Sequence, residues 1–187
     1  MPQPPELFVF FGLIATGKST LAQAWADAHS MEYYNSDRVR KELAGLAAEC
    51  SRKESLDQGI YSREFSRKTY TALLERAEEN LRAGRSVVLD GSYQAIDERD
   101  RVRELAGRFK ARVRFVLCRC PESVLKERLA MRARDPGAVS DGRWEIYLEQ
   151  KNRFSPPDEL DEDELLVFST EGDVDHLIKE LKVTLNN

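Results

Sequence analysis

A glycine-rich segment near the start of the chain has the residue types and spacing of a phosphate-binding loop. Residues 12–19 read G-L-I-A-T-G-K-S and match the pattern G-x-x-x-x-G-K-[ST]. The segment lies between an apolar run and a helical pattern, which is the context that the motif requires. In such a loop, backbone N–H groups and a helix N-terminus surround phosphate oxygens. We predict that the loop binds a nucleotide through Gly12, Leu13, Ile14, Ala15, Thr16, Gly17, Lys18, Ser19 and Thr20.

Two side chains of this loop have chemical roles of their own. Lys18 is placed to neutralise the β- and γ-phosphates, and the hydroxyl of Ser19 is placed to ligate Mg²⁺. The loop therefore predicts ATP and Mg²⁺ as cofactors. The motif alone is equally compatible with a kinase, an ATPase or a nucleotide-gated switch.

Three further residues stand at or just after the ends of predicted strands. Asp37 follows a short strand and can accept the proton of an attacking hydroxyl, while Arg40, three positions later, can hold the γ-phosphate or an anionic acceptor. Capping of the next helix is the structural alternative for Asp37. Asp90 ends an apolar strand and is predicted to bind Mg²⁺ directly or through water, although it is also a second candidate for the base.

An arginine-bearing helix precedes a segment rich in glycine, proline and serine. Arg128 and Arg132 are four residues apart and share a helical face, so either can stabilise the charge of a phosphoryl-transfer transition state. The segment 135–143 is expected to be a mobile lid that excludes water. We place the whole lid at about residues 128–143.

The elements that must position these residues alternate between strand and helix. Short apolar runs at 7–11, 86–90, 113–117 and 165–168, with a weaker candidate at 32–35, predict five strands separated by helices. This pattern predicts an α/β fold with a parallel sheet covered on both faces. A length of 187 residues suits one domain, 1–187.

Composition narrows the functional classes. A net charge of −4 disfavours a polynucleotide as partner, and three cysteines without a C-x-x-C pair do not suggest a metal site. Neither a signal peptide nor an apolar run of about 20 residues is visible, so we expect a cytoplasmic protein without membrane contact, as a monomer or dimer.

The chain resembles the P-loop kinases of the zeta-toxin and polynucleotide-kinase type, and within them the small AAA-type predicted kinases. The matching stretches are the phosphate loop, residues 36–43, residues 60–62, residues 84–91 and residues 128–132. The resemblance implies a P-loop NTPase three-layer sandwich with a helical lid. It also implies Asp37 as general base, Arg40 near the acceptor, Arg128 or Arg132 as lid arginine, and residues 169–173 near the adenine.

Two positions depart from that group. Ala15 stands where many relatives carry glycine, and Gly91-Ser92 replaces the threonine and asparagine usual after the strand-end aspartate in polynucleotide-kinase-like members. The second departure weakens a nucleic-acid substrate. The leading hypothesis is a kinase for a hydroxyl of a small molecule. A 5′-hydroxyl polynucleotide kinase and a non-enzymatic ATP-dependent regulatory module are the alternatives.

Overall fold

The structure, a computed structural model, describes residues 4–46, 59–132 and 144–186. Five strands are present in these ranges: β1 (Glu6–Phe11), β2 (Glu32–Asn35), β3 (Val87–Asp90), β4 (Arg112–Arg119) and β5 (Leu165–Ser169). The α-helices are α1 (Lys18–His29), α2 (Ser36–Leu43), α3 (Arg63–Arg82), α4 (Ile96–Phe109), α5 (Glu122–Arg132), α6 (Trp144–Arg153) and α7 (Val174–Asn186).

The strands form one parallel sheet in the order β2-β3-β1-β4-β5. Side chains of β1 alternate between the two faces of this sheet, as the period of a strand requires. On one face Phe8 and Phe10 pack with apolar residues of α1 and α7. On the other, Val9 and Phe11 pack with those of α3 and α4. The predicted three-layer P-loop NTPase fold is therefore confirmed.

The predicted elements and the observed ones differ mainly at their ends. The weak candidate at 32–35 is a strand, and its neighbour β3 is buried at all four positions. Pro121 directly precedes α5, and its carbonyl accepts a hydrogen bond from Leu125 N at 3.0 Å. Of the predicted lid, only residues 128–132 belong to a described helix, and residues 133–143 lie outside the described residues. The single-domain assignment stays a prediction.

One buried arginine joins α4 to the segment after α6. Arg99 stands in a stretch of alternating acidic and basic residues, which is typical of an exposed surface, but its side chain is 0% exposed. Its guanidinium bonds both carboxylate oxygens of Glu159 and donates to the carbonyl of Tyr93 at 2.8 Å. Because a buried cation needs such partners, this pair fixes the loop after β3 against the segment after α6.

Within the described ranges, no helix combines the length and apolar character needed to cross a membrane.

Candidate active site

The phosphate loop joins β1 to α1 at the carboxyl end of the central strand. Its backbone takes left-handed torsions at Gly12 (φ +134°), Ala15 (φ +62°) and Gly17 (φ +88°). A Cβ atom on Gly17 would lie 2.8 Å from Nη1 of Arg128, and one on Gly12 would lie 2.7 Å from a backbone oxygen of β4. Gly12 therefore requires glycine, because a side chain would be strained and would meet the backbone of β4. At Gly17 a side chain would be strained by the backbone torsion and would displace the guanidinium of Arg128. The alanine at position 15 adopts the same torsion region with a methyl group.

The outer side of this loop is held by the segment after β5. The hydroxyl of Thr170 donates to the carbonyl of Thr16, and Nη2 of Arg128 donates to the carbonyl of Thr170 at 2.7 Å. Nη1 of Arg128 lies 3.5 Å from the carbonyl of Ala15. These contacts join α5, the loop and the strand end into one unit, which limits the conformations of the loop.

A second contact reaches the loop from α6. The side-chain carbonyl of Gln150 accepts the backbone N–H of Ile14 at 2.8 Å. Apolar contacts support it, since Ile14, Ala15 and Tyr147 belong to one buried cluster with residues of α5. The helix that follows residues 133–143 is thus hydrogen-bonded to the phosphate loop itself.

A cavity of about 670 Å³ opens beside the loop. Lys18 and Ile14 line it from the loop, and Asp37 and Arg40 line it from α2. Its other walls come from the start of α3, the segment after β3, α4 and α6. Three of the predicted catalytic side chains therefore face one space, which is of the size that small-molecule sites have.

Asp37 is half-buried and does not cap the helix that contains it. The first turn of α2 is capped by Asn35, whose Oδ1 accepts from Arg38 N at 3.0 Å. The alternative that Asp37 caps this helix is therefore wrong. Its carboxylate lines the cavity instead.

Arg40 is held in place at the start of α3. Its side chain is only 7% exposed, and its Nη1 donates to the carbonyl of Ile60 at 2.8 Å and to Oγ of Ser66 at 3.0 Å. The guanidinium also lies over the ring of Tyr61, 5.1 Å from its centre. Its Nε is buried, and among the described residues it has no hydrogen-bond partner.

Asp90 lies at the end of β3 and is fully buried. Its Oδ2 accepts from the hydroxyl of Tyr33 at 2.7 Å and from Nδ2 of Asn35 at 2.5 Å. Its Oδ1 is buried and has no partner in the described part of the chain. An orphaned carboxylate oxygen is a costly group unless a ligand satisfies it. An oxygen without a partner fits a ligand for Mg²⁺, and Asp90 does not line the cavity in which a base would act. Its assignment as a metal ligand stays a prediction.

Glu98 is a carboxylate of the cavity that the sequence did not indicate. It lies in the first turn of α4, where its Oε2 accepts from Ala95 N at 3.3 Å. Burial raises the pKa of Glu98 from 4.5 to about 7. In a sequence, a glutamate in the first turn of a helix indicates helix capping and does not distinguish a binding site. The position of Glu98 in the cavity depends on the packing of α4 near the phosphate loop.

The two predicted lid arginines, Arg128 and Arg132, are described to different extents by the structure. Arg128 contacts the backbone carbonyls of Ala15 in the phosphate loop and of Thr170. Thr170 belongs to residues 169–173, which the resemblance placed near the adenine. It does not line the cavity. Arg132 is the last residue of α5, and its side chain lies outside the described residues. Their catalytic roles stay predictions.

Comparison with known proteins identifies related chains. A family model described as an AAA domain (AAA_33) matches residues 7–157. The uncharacterized protein Rv2004c of Mycobacterium tuberculosis is 32% identical over 131 residues, which is 70% of this chain and 26% of that protein. The chain therefore spans about a quarter of the length of the curated relatives it matches.

Solved structures share the fold at lower identity. A putative kinase from Chloroflexus aurantiacus is 24% identical, with a TM-score of 0.71 and coverage of 97% of this chain and 98% of the other. A gluconokinase from Sinorhizobium meliloti has 20% identity, a TM-score of 0.65 and coverage of 98% and 92%. The APS kinase of Mycobacterium tuberculosis, in complex with AMPPNP and APS, has 17% identity, a TM-score of 0.67 and full coverage of both chains.

Proposed function

The chain belongs to the AAA_33 family of AAA domains, and on that premise we propose that it is an ATP-dependent kinase. It transfers the γ-phosphoryl group of ATP to a hydroxyl group of a small molecule. The structural relatives named as a gluconokinase and an APS kinase support this class, since those proteins are kinases with the same fold.

One observation carries the proposal: Lys18, Asp37 and Arg40 line a single cavity next to the phosphate loop. An ATPase needs only the loop and a place for water. A cavity of about 670 Å³ that holds a carboxylate beside the loop lysine offers room for an acceptor as well. The arrangement brings a base, a cation and a binding space together, which is the requirement for transfer to a hydroxyl.

In the reaction that we propose, the acceptor oxygen attacks the γ-phosphorus. The bond from that oxygen to phosphorus forms while the bond from phosphorus to the β–γ bridging oxygen breaks, and ADP leaves with the electron pair of the broken bond. Asp37 accepts the proton of the acceptor hydroxyl. Lys18 and the backbone N–H groups of the loop stabilise the negative charge on the phosphates.

Asp90 and Ser19 are the residues that would hold Mg²⁺. Asp90 offers its unpartnered Oδ1, and Ser19 offers a hydroxyl in the first turn of α1. Few protein ligands are expected, because Mg²⁺ in such sites keeps waters and phosphate oxygens. When bound, the ion neutralises charge on the phosphates. Tyr33 and Asn35 hold the Asp90 carboxylate in one orientation, which prepares it for a ligand.

The test is turnover of ATP with Mg²⁺ against a panel of nucleosides, sugars, sugar acids, antibiotics and 5′-hydroxyl oligonucleotides. We expect ADP release that depends on one acceptor class and falls about 10²- to 10⁴-fold in Asp37→Asn. Asp175→Asn is the matched control, because Asp175 occupies the first turn of α7, is exposed and lies outside the cavity.

Two results would move the assignment elsewhere. ADP release that needs no acceptor and is equal in Asp37→Asn would favour the regulatory module. Phosphorylation of oligonucleotides alone would favour the polynucleotide kinase. Arginines between residues 99 and 114 could contact a polynucleotide, but Arg103 pairs with Glu164 and Arg108 pairs with Glu78.

A further inference from the structure

We infer that the acceptor carries an anionic group, a carboxylate or a phosphate, in addition to the hydroxyl that reacts. The inference rests on the proposed function and names the acceptor class of the same site. Arginines at the start of α3, together with Arg40, bind the anionic group.

The cavity is basic although the protein is acidic. Among the described residues that line it, the cations are Lys18, Arg40, Arg63, Arg67, Arg101 and Arg153, and the acidic side chains are Asp37, Asp97 and Glu98. Arg153 pairs with Glu149 outside this lining, which leaves five cations against three acidic side chains. The net charge of the chain is −4, so the cationic lining is a local feature of this site. Glu98 also has a pKa of about 7, and near neutral pH it contributes only part of a negative charge. Lys18 is assigned to the nucleotide phosphates. The remaining positive charge of the lining comes from arginines, and an anionic group of the acceptor would neutralise it.

Three of these arginines form one wall. Arg63 and Arg67 are four residues apart in the first turns of α3, so they share a helical face. Ser66 lies between them in sequence, also lines the cavity, and accepts a hydrogen bond from Nη1 of Arg40 at 3.0 Å. Through this bond Arg40 is tied to the part of α3 that carries the other two arginines. We call Arg40, Arg63 and Arg67 the arginine wall.

Arg40 supplies independent evidence that a ligand belongs at this wall. The side chain is 93% buried, since its exposure is 7%, and its buried Nε lacks a hydrogen-bond partner among the described residues. The Nη1 group of this guanidinium is satisfied by Ile60 and Ser66, but the Nε–H is not. A buried N–H donor without an acceptor costs free energy, which a ligand oxygen that reached it would recover. Guanidinium groups bind carboxylate and phosphate oxygens in a two-bond geometry, which makes such an anion the matching ligand.

The arginine wall lines the same cavity as Asp37, the proposed base. Asp37 and Arg40 are three residues apart on α2, and both line the cavity. An acceptor whose anionic group contacts the arginine wall would therefore have its hydroxyl within the part of the cavity that Asp37 and Lys18 line. A small molecule fits this arrangement, since the cavity measures about 670 Å³.

Binding is tested first, without reference to turnover. The phosphate loop is saturated with a non-hydrolysable ATP analogue and Mg²⁺, and inorganic phosphate is then titrated while the melting temperature is recorded. We expect phosphate to raise the melting temperature of the wild type, with a dissociation constant about tenfold weaker in Arg63→Gln/Arg67→Gln. Lys68→Gln is the control, since Lys68 is exposed, paired with Glu64 and outside the cavity. An equal response in the double variant and the wild type would overturn the inference.

Turnover is tested next with acceptors in matched pairs, each a neutral hydroxyl compound and its carboxylate or phosphate derivative. We expect kcat/KM to be at least about tenfold higher for the anionic member, and the double variant to lose this preference mainly through KM. Equal kcat/KM within every pair would refute the inference and leave the kinase assignment standing. Phosphate binding without turnover of any acceptor would refute the proposed function, and with it the interpretation of the wall as an acceptor site.

Discussion

Replacing Glu98 with glutamine should stabilise the protein at pH 8 and have a much smaller effect at pH 5. Burial raises the pKa of Glu98 from 4.5 to about 7 in the folded state. At a pH between 4.5 and about 7, the carboxyl of Glu98 is protonated in the folded protein and ionised in the unfolded chain, so folding takes up a proton. The contribution of Glu98 to stability is therefore greatest below pH 4.5 and is lost as the pH rises to about 7. Glutamine does not titrate and keeps an oxygen that can accept the hydrogen bond from Ala95 N.

The size of the effect follows from the two pKa values. The difference between 4.5 and about 7 corresponds to about 3 kcal/mol, which we reduce to about 2–3 kcal/mol because Glu98 is partly exposed to solvent. For a chain of this length, about 1 kcal/mol shifts the melting temperature by about 2–4 °C. Glu98→Gln should therefore melt about 4–12 °C above the wild type at pH 8, with a difference of only about 1–3 °C at pH 5, where about a quarter of the effect is present.

The assay is thermal unfolding of both proteins at intervals between pH 5 and pH 8, without nucleotide. Glu104→Gln is the matched control, because Glu104 lies on the same helix and is exposed. Its difference from the wild type should not depend on pH in this range. If the gap between Glu98→Gln and the wild type is the same at pH 5 and pH 8, the raised pKa is refuted.

Two further predictions concern contacts that hold the site together. Gln150→Glu keeps the acceptor for Ile14 N–H but adds negative charge beside the phosphate loop, so nucleotide affinity should fall about tenfold in a calorimetric titration. Glu145→Gln is its control, because Glu145 is exposed, lies on the same helix and does not line the cavity. Unchanged affinity of Gln150→Glu would contradict the assigned contact. Arg99→Met leaves Glu159 partly buried without its cation, and urea unfolding should show a loss of about 3–5 kcal/mol. A loss below about 1 kcal/mol would mean that this pair does not hold the two segments together.

Local patterns in the sequence were sufficient for the fold and for the nucleotide end of the site. The phosphate loop is a contiguous motif, and its function depends on the backbone torsions of residues 12–17 and on the helix that follows them. Buried parallel strands appear as short apolar runs, which is why β1 and β3 could be predicted from sequence. Asp37 and Asp90 were identified because the ends of parallel strands meet at one edge of the sheet.

The acceptor end of the site required the tertiary structure. Gln150 lies 136 residues from its partner Ile14, and Glu98 and Arg99 are neighbours in sequence that lie respectively beside the cavity and in the core. Helical periodicity assigns a face to each of these residues, but which helix covers that face depends on packing between distant segments. The sequence by itself therefore determined the fold class and the phosphate loop, because both depend on short-range patterns. The charge of the cavity and its arginine wall were decided only when α2, α3, α4 and α6 came together around it.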